Sequence, residues 1–383
     1  MASTRAVRSW PSTPWRDLIY GAPSSAHGRG AFCFMRLAVD VMGGDHGPGE
    51  LLHGVREGIE AEPGISRVIV VGPPDELRPL MEAAGLGRDP RVEVHAASEV
   101  VLMDDDPAVV IRRKKDASVL RALELVRDGR ADARARIQAT RVARRDRRVR
   151  VGRLEGVMRP TIACILPSLH GAWVLVDGGA NPECEPEHLA QFAVMGSAYA
   201  KVLLGIERPR VGVLSNGSEE SKGTDQTRLA VGLLRRTDLN LKGYCEGYEL
   251  FMDGVDVCVC DGFVGNIVLK SAESIGKAFR GMLKEELTAT PIRKAGALLA
   301  RGGLRRIAER LNPEVYGGAP ILGLKGWVFK VHGSARRTSL RHAMRQALRC
   351  HGLRFHDALA GDIARMAPLV APPKSSPSLG SPP

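Results

Sequence analysis

Lys222 stands beside Gly223 in the run Ser215-Asn216-Gly217-Ser218-Glu219-Glu220-Ser221-Lys222-Gly223-Thr224, after an apolar stretch and before a helical pattern. A lysine in such a loop can neutralise a phosphate, although an exposed turn lysine is a common alternative. In Asp261-Gly262-Phe263-Val264-Gly265-Asn266, two glycines and an amide directly follow a buried strand pattern. Asn266 opens the next helix there, which also suits an ordinary N-cap. A third loop, Met42-Gly43-Gly44-Asp45-His46-Gly47-Pro48, has no lysine and is not a Walker loop. It also lacks the G-x-G-x-x-G order of a dinucleotide fingerprint, which argues against a nicotinamide-dependent dehydrogenase. Arg112, Arg113, Lys114 and Lys115 precede a further helix, either as a solvated charge run or as a docking patch for an acidic partner.

The elements that must position these residues alternate. Strand-like runs cover 36–41, 67–72, 92–97, 161–166, 172–178, 210–216, 255–262 and 326–333, and helical patterns lie between them. Near-continuous apolar strands in β-α alternation predict a doubly wound, mostly parallel sheet with helices on both faces, a three-layer α/β/α fold. Several strands end in glycine-bearing loops, and in such sheets ligands bind beyond the carboxyl ends of the strands.

The 383 residues are 44% hydrophobic, enough for a sizeable core. The seven cysteines include no Cys-x-x-Cys pair, so no disulfide framework or metal site is expected; their odd number suits a reducing cytoplasm. No apolar run reaches the length of a membrane span. Residues 1–34 are rich in Ser, Pro and Arg and precede Met35, which reads as the true start; they are expected not to fold. The Pro/Ser-rich tail 367–383 is expected to be disordered, leaving one catalytic domain over 35–366.

The net charge of +12 is concentrated. Segment 134–150, RARIQATRVARRDRRVR, holds eight arginines against one aspartate, and residues 1–34 hold four arginines against one aspartate. The remainder is close to neutral, so the high overall charge does not argue for a nucleic-acid partner, and the segment lacks aromatic interleaving.

MRLAVDVMGGDHGP, ASEVVLMDDDPAVVIRRKKDAS, VDGGANPECEPEHLAQFAVMGSAYA, SNGSEESKGT, VCDGFVGNIVLK and YGGAPILGLKGWVFKVHGS occur in that order. With these motifs the chain resembles the bacterial phosphate acyltransferases of phospholipid synthesis from Met35 to about Cys350. The resemblance implies that inorganic phosphate attacks the thioester of a long-chain acyl-acyl-carrier protein, giving acyl phosphate. It implies no cofactor and no metal. It carries Lys222 and Asn266 as catalytic residues, Lys222 neutralising phosphate and Asn266 orienting it or donating to the oxyanion. Gly43, Gly44, Asp45, His46, Asp177, Asn181, Gly223, Asp261 and Gly265 would shape the substrate pocket. It further implies an acidic carrier protein docking on Arg112, Arg113, Lys114 and Lys115, a homodimer, and work at the inner membrane face beside a membrane-bound glycerol-3-phosphate acyltransferase. Within a helical extension over 271–311, the basic amphipathic stretch 291–311 suits an anionic membrane surface or a subunit partner.

The family departs from this chain at 134–150. There it carries a strand, then Ser-Ala-Gly-Asn-Thr-Gly, then an Ala/Leu-rich helix. Codons for Gln138 to Val142 read one frame over can spell Gly-Asn-Thr-Gly, so a pair of compensating frameshifts accounts for the segment. A genuinely divergent basic segment is the rival reading. Burying Arg134 and Arg136 in a central strand carries a large desolvation cost. The strand, the loop and the helix start are therefore expected to be disrupted, and the chain unstable or inactive.

Overall fold

The computed structural model describes residues 34–101, 105, 110, 112–137, 151–312, 318–331 and 333–370. Segment 138–150, His332 and the terminal stretches 1–33 and 371–383 lie outside them.

The strands are β1 (Met35–Asp40), β2 (Ile65–Gly72), β3 (Val92–Ala96), β4 (Ala133–Ile137), β5 (Thr161–Pro167), β6 (Ala172–Val176), β7 (Val211–Leu214), β8 (Leu241–Cys245), β9 (Val257–Val259), β10 (Ala319–Leu322) and β11 (Trp327–Val331). The helices are α1 (Gly47–Ala61), α2 (Pro74–Ala83), α3 (Ser118–Arg127), α4 (Pro186–Leu204), α5 (Asp225–Leu234), α6 (Gly262–Thr288), α7 (Pro291–Leu299), α8 (Arg301–Arg310), α9 (Arg337–Gly352) and α10 (Phe355–Val370).

The strands join in the order β3-β2-β1-β4-β11-β10-β5-β6-β9-β7-β8. The first five are mutually parallel, as are the last four. Between them β10 runs antiparallel to both β11 and β5, and β5 antiparallel to β6. Two parallel blocks of opposite sense therefore meet at an antiparallel seam. The mostly parallel, two-faced sheet is as expected. The seam was not foreseen, because APIL of β10 is too short and too Pro-marked to stand out as a strand.

Both faces are apolar, and the alternation of side chains feeds two cores. Leu37, Val39, Val68, Val70, Val174 and Val176 face one cluster with α1, α4, α9 and α10. Ala38, Ile69, Val71, Trp173 and Leu175 face the other with α3 and the start of α6.

The disrupted strand of the sequence analysis is formed. ARARI pairs with β1 on one side and β11 on the other. Ala133 and Ala135 fill one core at 0% exposure, their small size fitting the helix layer above. The cost falls on the opposite face, where Arg134 is 2% exposed. A second departure is at the C-terminal end: α10 continues through Val370, into the stretch expected to be disordered.

Candidate active site

The residues of the DGFVGN motif are explained by how closely two backbones meet. Asp261, not Asn266, caps α6, accepting from the N–H groups of Phe263 and Val264 at 2.9 and 2.8 Å. Gly262 donates to the Asn181 carbonyl at 2.7 Å. A Cβ at Gly265 would lie 1.9 Å from the Asp177 carbonyl oxygen, and one at Gly262 would lie 2.7 Å from the Asn181 nitrogen. Only glycine permits this approach.

Asp177 and Asn181 hold the other side of the contact. The Asp177 carboxylate accepts from the N–H groups of Ile162, Gly179, Ala180 and Asn181 and from the Asn181 side-chain amide, at 2.7 to 3.2 Å. The Asn181 amide also donates to the Pro160 carbonyl. Both residues are buried and stand behind the cavity wall. They shape the site by fixing the loop between β6 and α4, with their polar atoms committed there.

In front of this scaffold lies a cavity of about 1460 Å³, larger than the ~300–1,000 Å³ usual for small-molecule sites. It straddles the seam instead of sitting beyond one carboxyl edge of the sheet. β5 runs along its floor and α6 along its side. At one end stand Gly178, Gly179 and Asn266. Gly179 takes φ +119°, and a Cβ there would press on the Asn266 side chain at 3.3 Å. The exposed amide of Asn266 makes no hydrogen bond to any described residue. The opposite block contributes Gly43, Gly44 and Asp45, the last donating its N–H to the Gly333 carbonyl at 2.9 Å. His46 does not line the cavity; it occupies the N-cap position of α1 without a side-chain cap bond.

Lys222 is placed differently from the expectation. β7 lies next to β9, so the Lys222 loop leaves the same edge as the Asn266 turn. Gln226 ties α5 to the Cys184 carbonyl across that edge. Gly223, at φ +82°, donates its N–H to the Asn216 Oδ1 at 3.0 Å. Lys222 itself is exposed and outside the cavity wall.

Three other lysines, Lys270, Lys277 and Lys330, line the cavity. Lys270 pairs with Glu273 at 2.8 Å. Lys330, on β11, makes no ion pair with a described residue. Its signal was present in the sequence: GWVFKVHG puts a lysine inside a strand that is otherwise buried. Cys164 sits in the cavity floor, with both Lys330 and Lys270 close enough to act on its thiol. Burial nevertheless pushes that thiol up to about 12. Burial likewise raises Cys184, to about 12, and Cys260.

Of the basic cluster, Lys114 is committed inward, to Asp105 at 2.5 Å and the Val100 carbonyl at 2.8 Å. Arg112, Arg113 and Lys115 are exposed.

The open α/β sheet has the fold of solved proteins of one class. The Streptococcus pyogenes phosphotransacetylase superposes with a TM-score of 0.53 at 17% identity, over 90% of this chain and 97% of that one. The EutD phosphotransacetylase of Staphylococcus aureus gives 0.52 at 17%, over 83% and 94%. The fold is thus that of the phosphotransacetylase-like α/β proteins. Sequence relatives narrow the class. Residues 35–356 match the family described as "Fatty acid synthesis protein". The phosphate acyltransferase of Heliobacterium modesticaldum is 44% identical over 313 residues, covering 82% of this chain and 93% of the relative. That of Desulfitobacterium hafniense is 42% identical over 332 residues, covering 86% and 98%. That of Myxococcus xanthus is 45% identical over 322 residues, covering 82% and 89%. The chain belongs to the phosphate acyltransferase family and is an acyltransferase.

Proposed function

We propose that the chain transfers a long-chain acyl group from an acyl-carrier-protein thioester to inorganic phosphate, feeding phospholipid synthesis. A phosphate oxygen attacks the thioester carbonyl, the carbonyl oxygen becomes an oxyanion, and the carbon–sulfur bond breaks to release the carrier thiol. Phosphate is already an anion at neutral pH, so the site needs a cation and fixed donors more than a strong base. Asn266 is the donor, and Lys330 and Lys222 are the cations, one inside the cavity and one on its neighbouring rim.

The observation that carries this reading is a large, mostly apolar cavity lined by glycine loops and an uncommitted amide. Direct displacement is supported by the cysteines. A thiol raised to about 12 is not a thiolate at neutral pH, and the thiolate is the nucleophile. Cys164 therefore offers no covalent route.

The carrier docks through Arg112, Arg113 and Lys115, with Lys114 bracing their loop. Among the described residues no helix is long and apolar enough to cross a membrane. The α7–α8 arm instead presents Ile292, Leu298 and Leu299 at 85, 65 and 90% exposure. Arginines 301, 305 and 306 flank them, a pattern suited to an anionic lipid surface close to a membrane-bound glycerol-3-phosphate acyltransferase. A homodimer partner is the other cover for this arm.

The test is labelled phosphate with palmitoyl-carrier protein. Phosphate-dependent formation of labelled palmitoyl phosphate supports the proposal. Its absence, both from this chain and from one carrying Gly-Asn-Thr-Gly within residues 138–150, overturns it.

A further inference from the structure

One part of the cavity wall is built from α6, α8 and the turn after β5. On one side runs α6, whose Gly276 lines the wall. A Cβ built there meets the Leu311 carbonyl oxygen at 3.5 Å, so the end of α8 lies against α6 at this point. From α8, Arg310 donates through Nη2 to the carbonyls of Ser168 and Leu169, at 2.8 and 2.9 Å. Those residues end the β5 floor. Their turn is braced by Asp253, which accepts the Ser168 hydroxyl at 2.5 Å, and by Leu169 donating to the Phe251 carbonyl at 2.9 Å. The turn, α8 and α6 thus form a continuous bridge beside the β5 floor, a partial ring lining the apolar passage. Arg310 is not available to a lipid surface, as the sequence pattern of 291–311 implied; it is the clasp of this ring.

The ring stands at a measurable distance from the polar end. Ten residues of helix separate Asn266 from Gly276, about 15 Å. A bilayer hydrocarbon core is about 30 Å thick, so one acyl chain spans about 15 Å in its leaflet. The passage between the glycine loops and the ring therefore holds one long acyl chain. Glycine is also costly inside a helix, and at 276 its lack of a side chain keeps the passage open.

We infer that the Gly276–Leu311–Arg310–Ser168 ring sets the acyl-chain length that this enzyme accepts. Chains ending before the ring gain affinity with each methylene buried. Longer ones must pass through it, at a width fixed by Gly276 and by the Arg310 clasp. This rests on the acyl-transfer reading above, and its test is arranged to fail separately.

Saturated fatty acids of increasing length displace a fluorescent fatty-acid probe from the full chain, a measurement that needs no turnover. Affinity is expected to climb about fourfold per methylene and then level off near the length that reaches the ring. Gly276→Trp should bring the plateau to shorter acids, with long-chain affinity reduced about tenfold or more and butyrate unaffected. Arg310→Ala should move the plateau to longer acids, and serves as the second variant if Gly276→Trp does not fold. An unchanged length profile in a folded variant overturns the inference, as does the absence of fatty-acid binding. Length-dependent binding without acyl phosphate formation leaves the ring standing and removes the transfer reaction; transfer with no plateau does the reverse.

Discussion

Gly265 is the residue at which site and stability are least separable. Its missing Cβ is replaced by the Asp177 carbonyl oxygen, so Gly265→Ala must push α6 off the loop it rests on. We expect a loss of about 3 kcal/mol or more in urea unfolding, and loss of activity in whatever remains folded. Asn266→Ala removes only an exposed amide, and should lower kcat while leaving the urea midpoint unchanged. Lys222 and Lys330 can be separated by kinetics. If Lys330 meets phosphate in the cavity, Lys330→Ala raises the KM for phosphate more than Lys222→Ala does. The reverse order returns the role to the rim lysine. His356 bears on stability instead. Half-buried, with its ring centroid 4.3 Å from that of Trp327, it has its pKa lowered by desolvation from 6.5 to about 4. A depressed folded value means that the contribution is complete above 6.5 and is lost as pH falls from there towards 4. The melting temperature should drop across that window, and His356→Phe should flatten the drop.

At the scale of elements, β4 and α6 show what the sequence reveals and what it hides. The apolar runs of β1, β2, β5 and β6 are visible because both their faces are buried. β4 is hidden by its arginines, yet its alanines suit one core and its neighbours on both sides fix its register. A buried guanidinium remains expensive. Arg134→Met, similar in volume and without charge, should stabilise the chain by about 1–3 kcal/mol in thermal or urea unfolding; destabilisation would mean that the guanidinium is well compensated. The coding DNA across codons 130–155 tests the frameshift account of the same segment, which fails if no shifted frame spells Gly-Asn-Thr-Gly. In α6 the two glycines and Asn266 were singled out in the sequence, but neither the backbone contact that the glycines allow nor the wall position of Asn266 was legible there. An N-cap and a wall residue look alike until the cap is seen to be Asp261, five positions earlier.

For the whole molecule, β-α alternation identified the layers and the motif order identified the family. Neither revealed that two parallel blocks run in opposite senses. That arrangement depends on β10, four residues that turn back on β11 and pair on the other side with the distant β5, and local periodicity carries no record of the second partner. Lys222 stands outside the cavity although its loop leaves the same edge as the Asn266 turn, because the cavity is lined by the seam strands β5, β10 and β11 and not by the outlying β7. Asp177 and Asn181 were expected to shape the substrate pocket; their hydrogen bonds turn inward and hold the loop behind it, a distinction made only by the folded chain.

The backbone contact between Gly265 and Asp177 also bears on redesign. Nothing can be added at that junction, so a laboratory search for new specificity has no room to work there. It would have to draw its variation from the outer walls, along α6 beyond Asn266 and on the turn after β5, where a change in side-chain bulk leaves the chemistry undisturbed.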